Sequence, residues 1–410
     1  MPPDVSSPTI VSPRAERQTH LWLLILAPVI LLGGLIAVLL RTGPADALKP
    51  AGAPPVERLT FGRAQLTADG IVLGVMNDGP DAVSIAQVQV DDAYWQFTAA
   101  PTGALGHLSQ TTLTIPYPWI EGEPHLIKVV TSTGTTFEYE IAVALETPRP
   151  GLRYLGVFAL IGLYVGVIPV AIGLLWFPMM SRLGRRGLDF MLALTVGLLA
   201  FLVIDAGVEG LEAAQSLPGS YQGTTLLVMS SAAAYLTLTA VGSWLKRRRT
   251  GTSAQGSLLA LLIAVGIGLH NLGEGLAIGA AFTLGEAALG SLLIVGFALH
   301  NTTEGLAIVA PLARERQPSD PIPVATLVRL GLIGGVPTIF GAWIGGFVYS
   351  PVWALLFLGI GIGAIAQVIG QILSQMSGKE PLGRYLVHGP VLAGLVAGFV
   401  VMYVTGMMIG

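Results

Sequence analysis

Residues 270–278 read HNLGEGLAI, and residues 300–308 read HNTTEGLAI. In each copy the His and the Glu stand four residues apart, so both side chains lie on one face of a helix, one turn apart. The segments around both copies are apolar, and ionisable side chains inside a membrane segment are costly and indicate a functional site. The repeat therefore predicts two membrane helices that present the same polar groups.

The two motif helices are consecutive and separated by a short loop, so we expect them to be antiparallel neighbours. Each motif begins about halfway along its apolar segment, which puts both copies near the middle of the bilayer. This arrangement lets His270 face Glu304, and Glu274 face His300. Two imidazoles and two carboxylates around one point suit Zn²⁺ or another first-row divalent ion.

A polar clamp between helices is the alternative to a metal site, and a single His-x-x-x-Glu pair is equally compatible with both. The repeat on adjacent helices favours metal, in a chain with six histidines. Because cysteine is absent, the ligands must be His, carboxylate or amide groups. Asn271 and Asn301 follow on an adjacent face and would add amide oxygens at a flanking position. The candidate metal ligands are His270, Asn271, Glu274, His300, Asn301 and Glu304.

The composition places most of the chain in a membrane. Of its 410 residues, 53% are hydrophobic and only 11% are charged, whereas a soluble domain carries about 25% charged residues. The 53 glycines are typical of membrane helices that pack closely through small residues. The formal net charge of -3 gives no reason to expect a nucleic-acid partner.

Nine segments reach the roughly 20 apolar residues that cross a bilayer. The first, Leu21 to Leu40, is interpreted as a signal anchor, because its apolar run exceeds that of a typical signal peptide and no convincing cleavage site precedes Arg41. The other eight are called spans 1 to 8 below. They cover residues 154–177, 188–211, 223–245, 256–281, 287–311, 322–348, 351–374 and 387–409.

Lys and Arg in short loops set the orientation of membrane helices. The basic clusters fall in alternate loops, and the loops near 212–222, 282–286 and 349–351 contain neither residue. One orientation satisfies every loop, in a multi-pass protein of the plasma (inner) membrane. It has a cytoplasmic tail (1–19), the anchor helix (20–41), an extracytoplasmic segment (42–150) and an eight-helix unit (151–410) whose C-terminus is also extracytoplasmic. The clusters are Arg182, Arg185 and Arg186; Lys246 to Arg249; Arg314 and Arg316; and Lys379 and Arg384.

The extracytoplasmic segment has the pattern of a β domain. After a Pro/Ala-rich linker from Pro44 to Pro55, short runs alternate between apolar and polar residues, and turn sequences such as Asn77-Asp78-Gly79-Pro80 separate them. Period-two patterning with frequent turns predicts a small antiparallel β-sandwich of about 90 residues. His107 and His125 lie in this domain and are interpreted as surface residues rather than an external metal site.

A second group of acidic residues lies on span 2. Asp205 and Glu209 share a helix face near the predicted external end, where they could form an acidic vestibule that concentrates cations. The alternative is a helix end that enters water, especially for Glu212.

Further polar residues and prolines mark spans 1, 6 and 7. A glutamine stripe on span 7 indicates either a wet pathway or a hydrogen-bonded helix seam, and these two interpretations stay open. The prolines are candidates for helix kinks. The residues are Gln367, Gln371 and Gln375, and Pro169, Pro178 and Pro337.

Residues from about 151 to 410 resemble the ZIP (Zrt/Irt-like) family of metal transporters. The likeness consists of eight spans, both ends of the unit outside, the sequence at 270–275, which is similar to the family's HNxPEG motif, and the second ligand group at 300–304. The resemblance implies a main transport site of His270, Glu274, His300 and Glu304, with Asn271 and Asn301 at a neighbouring position. The expected fold class is an all-α polytopic membrane protein, an eight-helix ZIP-like bundle, with a signal-anchor helix and a small all-β sandwich as additions.

The sequence departs from the family pattern at five places. Gly273 and Thr303 stand where proline is usual, and Asn301 stands where an acidic residue is common. Span 6, around Gly335 to Gly341, lacks the glutamate that often completes a second metal site. The family's histidine-rich cytoplasmic loop is also missing. These differences favour one highly charged site with a weaker amide-flanked position over a full two-metal centre.

We therefore expect a transporter, not an enzyme, that moves Zn²⁺ or else Fe²⁺, Mn²⁺ or Cd²⁺ towards the cytoplasm by alternating access. The metal is the transported substrate, and no prosthetic group is expected. Its ligands must lose protons to bind metal, so transport should depend on pH. The expected partners are divalent ions and the bilayer; a homodimer and the partner of the sandwich stay open. The rival hypotheses are an intramembrane metalloenzyme with the same ligands, and a metal sensor or assembly platform that works through the sandwich.

Overall fold

A computed structural model describes residues 18–42, 54–248, 255–284, 287–315, 322–348, 350–378 and 380–407. The first 17 residues of the predicted cytoplasmic tail and most of the Pro/Ala-rich linker lie outside the described residues, as do Arg249, Arg316 and Lys379 of the basic loops.

Within the described residues, eight helical stretches are long and apolar enough to cross a membrane, as predicted for spans 1 to 8. They indicate a multi-pass membrane protein. Span 1 contains α2 (Leu152–Gly162), a π-helical turn (Leu163–Val167), α3 (Ile168–Leu174) and α4 (Phe177–Met180). Spans 2 to 5 are α5 (Arg185–Ser216), α6 (Gly223–Arg248), α7 (Gln255–Thr283) and α8 (Ala287–Glu315). Span 6 consists of α9 (Val324–Gly335) and α10 (Pro337–Phe347), span 7 is α11 (Pro351–Ser377), and a short α12 (Leu382–Leu386) precedes span 8, which is α13 (Gly389–Met407).

Helix α1 (Gln18–Thr42) covers the predicted signal anchor. Its side chains from Leu26 to Val38 are exposed and largely apolar. The helix belongs to a different compact unit from the rest of the chain, which begins at Val56.

Proline residues coincide with interruptions in spans 1 and 6. The π-helical turn of span 1 ends just before Pro169, and span 6 is interrupted at Val336, next to Pro337. Proline has no backbone N–H, so it leaves the carbonyl four residues earlier without its helical donor. For Pro169 that carbonyl belongs to Val165. Pro178 instead occupies the first turn of α4, where proline is well tolerated.

The predicted β domain is present and contains two four-stranded antiparallel sheets. Its strands are β1 (Leu59–Thr67), β2 (Gly70–Asn77), β3 (Ile85–Val90), β4 (Ala93–Trp95), β5 (Thr98–Ala100), β6 (Gln110–Ile115), β7 (His125–Thr131) and β8 (Thr136–Ile141). The sheet orders are β1-β2-β6-β5 and β4-β3-β7-β8. Alternate residues of both sheets, such as the opposed pairs Leu73/Leu113 and Val88/Val129, share one hydrophobic core.

The histidines of the β domain have structural contacts. His125 is only 3% exposed, and its Nδ1 lies 2.8 Å from Asp91 Oδ2, so its interpretation as a surface residue is wrong. Burial opposes ionisation of Asp91, but hydrogen bonds from Leu126 N–H and Tyr117 O–H outweigh it and keep the pKa of Asp91 below its usual value. Burial and the Asp91 carboxylate raise the pKa of Tyr117 to about 12. His107 Nδ1 lies 2.9 Å from Gly79 O.

Glycines bring each motif helix into backbone contact with another span. A Cβ added at Gly275 of α7 would collide with the carbonyl oxygen of Thr338 in α10. A Cβ added at Gly305 of α8 would likewise collide with the carbonyl oxygen of Val170 in α3. Such close approach is typical of small residues between membrane helices. The glycine that closes each motif therefore holds span 4 against span 6, and span 5 against span 1.

The β domain contacts the helical bundle at the turn between spans 2 and 3. Asp78 lies in the Asn77–Pro80 turn and is 7% exposed. Its carboxylate accepts hydrogen bonds from Gly219 N–H at 3.1 Å and from Ser220 Oγ at 2.5 Å. The side chain of Asn77 holds this turn in shape, because it donates to the carbonyl of Leu105 and accepts from Gly79 N–H.

Replacing Asp78 should loosen this contact. Asp78→Ala removes the acceptor for both donors, and leaving a part-buried donor unsatisfied costs about 1–3 kcal/mol. We expect faster hydrogen exchange over residues 217–222 in the full-length protein in detergent. Asp69→Ala, which changes an exposed carboxylate of the β1–β2 turn, is the matched control and should leave that exchange unchanged. Equal exchange in both variants would show that Asp78 does not hold the contact.

Candidate metal site

Three of the predicted ligands converge near the middle of α7 and α8. Ligand atoms of His270, Glu274 and His300 all lie within 4.8 Å of one another, and each residue is at most 8% exposed. His300 Nε2 contacts Glu274 Oε1 across the helix pair, as expected from the motif. His270 Nε2 lies 3.2 Å from the same oxygen, one turn away on its own helix. Two imidazoles thus share one carboxylate oxygen.

Glu304, the fourth predicted ligand, lies outside this group of three. It is 2% exposed, and among the described residues neither of its carboxylate oxygens has a hydrogen-bond partner. Its neighbours are the like charge of Glu274 and the side-chain amide of Asn271. The sequence placed His270 opposite Glu304, whereas the structure places His270 against Glu274.

The two motif asparagines tie the motif helices to the interrupted spans. Asn301 Nδ2 donates to the carbonyl of Val165 at 3.0 Å, in the π-helical turn of span 1, and also to Glu274 Oε2 at 2.9 Å. Asn271 Nδ2 donates to the carbonyl of Gly334 at 3.0 Å, beside the break of span 6. Pro169, four residues after Val165, has no N–H to donate to that carbonyl, and the asparagine supplies a donor instead.

Several buried atoms of the two motifs have no hydrogen-bond partner in the described part of the chain. Buried polar atoms are almost always paired, so each exception needs an explanation, and an ion is one of the few available. Each of these atoms can donate a lone pair to a metal. They are Asn271 Oδ1, Asn301 Oδ1, Glu304 Oε1, Glu304 Oε2 and His270 Nε2, the last of which lies 3.2 Å from Glu274 Oε1 without forming a hydrogen bond to it.

A cavity of about 50 Å³ opens beside the three converging ligands. Besides them, Asp205 and Glu209 of α5, Phe297 of α8, and Phe357 and Gly361 of α11 line it. The sequence predicted a role for Asp205 and Glu209, but it did not indicate that the aromatic residues or Gly361 line a cavity. An apolar residue or a glycine in an apolar span carries no signal that separates a cavity wall from ordinary packing.

Comparison with protein-family models and with curated proteins gave no match to this chain. The functional hypothesis therefore depends on the motif and on the geometry around it.

The other polar residues from the sequence lie away from the three converging ligands. Gln371 of span 7 points towards span 3, because its Nε2 lies 3.0 Å from the position that a Cβ on Gly242 would take. Gln367 is buried in the same helix, and neither glutamine lines the cavity described above. The amide oxygens of both glutamines are buried without a hydrogen-bond partner among the described residues, so no hydrogen-bonded seam is seen there. Glu212 is exposed and also does not line that cavity.

Asn301 should support metal binding through Glu274. Asn301→Ala removes the donor that orients the Glu274 carboxylate, and loss of a group that orients a ligand typically weakens metal affinity about 10- to 100-fold. Zinc titration of the purified full-length protein should show this loss. Thr302→Val is the neighbouring control, since the Thr302 hydroxyl donates to Ala298 O of its own helix. Unchanged zinc affinity in Asn301→Ala would remove Asn301 from the site.

Proposed function

We propose that this protein transports divalent metal ions across the membrane and is a member of the ZIP-like class, with Zn²⁺ as its foremost substrate. The observation that carries the proposal is the group of His270, Glu274 and His300, together with nearby buried oxygen atoms that have no hydrogen-bond partner among the described residues and can bind a metal. These atoms lie inside helices that are long enough to cross a bilayer. Two imidazoles and a carboxylate are ligands that zinc prefers. Fe²⁺, Mn²⁺ and Cd²⁺ fit the same ligand set less selectively.

The motif residues have separate roles in this proposal. His270, Glu274 and His300 hold the ion directly. The second carboxylate, Glu304, balances the remaining charge of a dication once its hydration shell is lost. The amide oxygens of Asn271 and Asn301 stand at a flanking position while their amide nitrogens hold the backbone of spans 6 and 1. A single site with a weaker flanking position fits this division.

Glycine contacts indicate which helices would move together. Backbone-level contacts join span 4 to span 6 and span 5 to span 1. Similar contacts join span 2 to span 8 at Gly197 and Gly398, and span 3 to span 7 at Gly359 and Gly363. Alternating access is then a movement of the ligand-carrying spans 4 and 5, together with their partners 6 and 1, against the other four spans.

The proposed direction is towards the cytoplasm. It follows from the resemblance, and the proposed orientation follows from the basic loops. In that orientation the β domain and the C-terminus are extracytoplasmic, and the protein resides in the plasma (inner) membrane.

An intramembrane metalloenzyme is the rival that one observation favours. Two His and one Glu with an open position are a ligand set of catalytic zinc sites, and Glu304 could serve as a general base. The cavity argues against it. Its volume of about 50 Å³ is far below the roughly 300–1,000 Å³ of sites that bind organic substrates. An ion fits this space, whereas an organic substrate does not.

Flux through proteoliposomes tests the proposal. The wild-type protein should carry Zn²⁺ into the vesicles, and His300→Ala should reduce this flux to the level of empty vesicles, because one imidazole of the site is lost. His388→Ala is the matched control. His388 is about half exposed and lies 3.2 Å from Glu380, away from the motif helices, so its flux should equal that of the wild type.

The possible outcomes separate the function from the site. Absence of zinc flux through the wild-type protein would contradict transport. Wild-type flux in His300→Ala would leave transport standing but contradict the assignment of the site.

A further inference from the structure

A second cavity lies between the first turns of two membrane helices, and none of the motif residues lines it. Arg186 and Asp189 of α5 form one wall, and Gly389 to Val391 of α13 form the other, next to His388. Its volume is about 390 Å³, against about 50 Å³ for the cavity beside the motif ligands. Cavities of this size enclose a small organic group.

Backbone contact between the two helices gives this cavity fixed walls. A Cβ added at Gly394 of α13 would collide with the carbonyl oxygen of Phe190, the residue that follows Asp189. One turn further along, a Cβ added at Gly398 would collide with the carbonyl oxygen of Leu194. Small residues at both points hold spans 2 and 8 together, so the cavity is formed before anything binds.

One part of the wall suits an anion. The first N–H groups of a helix have no acceptor within that helix and carry partial positive charge, which favours phosphate at a helix N-terminus. Two such ends meet here, from helices of 32 and 19 residues, and no side chain of the described residues caps α5. Arg186 adds a guanidinium group, whose planar donors match the oxygens of a phosphate.

Another part of the wall suits a cation. Asp189 Oδ1 is buried and has no hydrogen-bond partner among the described residues. Burial and the nearby Asp189 carboxylate raise the pKa of Tyr385, but no hydrogen bond joins the two side chains. Arg314, a cationic neighbour of Tyr385, also has an unpaired nitrogen, Nη1, in the described part of the chain. Since buried polar atoms are almost always paired, a ligand that brings an N–H donor would satisfy Asp189. The His388 imidazole contributes no ligand, because its Nε2 lies 3.2 Å from Glu380 Oε1.

The surroundings of the cavity are those of a membrane surface. The apolar stretch of span 2 begins at Leu188, beside one wall. Beside the other wall, Val387 and Leu392 are 67% and 49% exposed. A charged cavity flanked by exposed apolar side chains matches a lipid, which has a charged headgroup and apolar acyl chains.

We propose that this cavity binds the headgroup of an aminophospholipid from the adjacent leaflet. The lipid phosphate lies at Arg186 and the two helix N-termini, and the primary ammonium group donates to Asp189. The acyl chains follow the apolar surface beside Val387 and Leu392. The basic loops put this leaflet on the proposed cytoplasmic side. The inference does not depend on metal transport, because the headgroup site shares no residue with the two motifs.

Asp189 gives the site a means to distinguish lipids. A primary ammonium group has three N–H donors, whereas the trimethylammonium group of phosphatidylcholine has none. Both lipids carry the same phosphate, so Arg186 and the helix N-termini bind them equally. The difference in affinity between phosphatidylethanolamine and phosphatidylcholine therefore measures the contact with Asp189.

Native mass spectrometry of the full-length protein in detergent, with each lipid added in turn, measures these affinities. The wild type should bind phosphatidylethanolamine about tenfold more tightly than phosphatidylcholine, as expected for a hydrogen bond between charged groups. Asp189→Ala removes the acceptor and should abolish this preference. Arg186→Gln should weaken the binding of both lipids about fivefold, as for an exposed ion pair. The matched control is Arg182→Gln, which changes an exposed arginine outside the cavity and should bind both lipids like the wild type.

Hydrogen exchange of the wild type in lipid nanodiscs gives a readout that needs no variant. Exchange over residues 185–191 and 387–393 should be slower in phosphatidylethanolamine than in phosphatidylcholine, and soluble glycerophosphoethanolamine should not reproduce this effect. Equal affinity of the wild type for the two lipids, or an undiminished preference in Asp189→Ala, would overturn the inference. Equal slowing by the soluble compound would overturn it too, because the cavity would then take a free phosphate ester rather than a lipid.

Discussion

The carboxylate of Glu274 is the group on which the site depends. It is 4% exposed near the middle of a membrane-spanning helix, where an unpaired charge is strongly unfavourable. His300 and Asn301 of the neighbouring helix both contact it, and His270 approaches it from its own helix. These contacts require α7 and α8 to lie side by side at a fixed register. The position of one buried carboxylate thus sets the relation between the two motif helices.

The surrounding helices fix that register from both sides. Each motif ends in a glycine that allows backbone contact with another span. The asparagine that follows the His in each motif donates a hydrogen bond to a carbonyl of that same span. On one side the carbonyl belongs to Val165, to which Pro169 cannot donate because it has no N–H. The asparagine and the glycine of each motif therefore hold the helices in place. The amide oxygens of the two asparagines have no hydrogen-bond partner among the described residues, and a metal could bind them.

The sequence predicted the parts of this protein that depend on periodicity or on local charge. Eight apolar stretches, the turn-punctuated β domain and the contact between His300 and Glu274 all follow from spacing along the chain. The pairing of His270 was not predictable, because a side chain at i can reach either its own i+4 neighbour or the facing helix. The carbonyl partners of Asn271 and Asn301 were also hidden, although Pro169 signalled that one carbonyl would be free. The burial of His125 depends on Asp91, which is 34 residues away in the chain, so no local pattern could reveal it.

The most direct test of the central claim is the X-ray absorption spectrum of zinc bound to the full-length protein. The shared site predicts two imidazole nitrogens at about 2.0–2.1 Å and carboxylate oxygens at about 2.0–2.2 Å. In His270→Ala one of the two nitrogens should disappear from the first shell. A first shell that keeps both nitrogens in that variant would show that zinc binds elsewhere and would contradict the account.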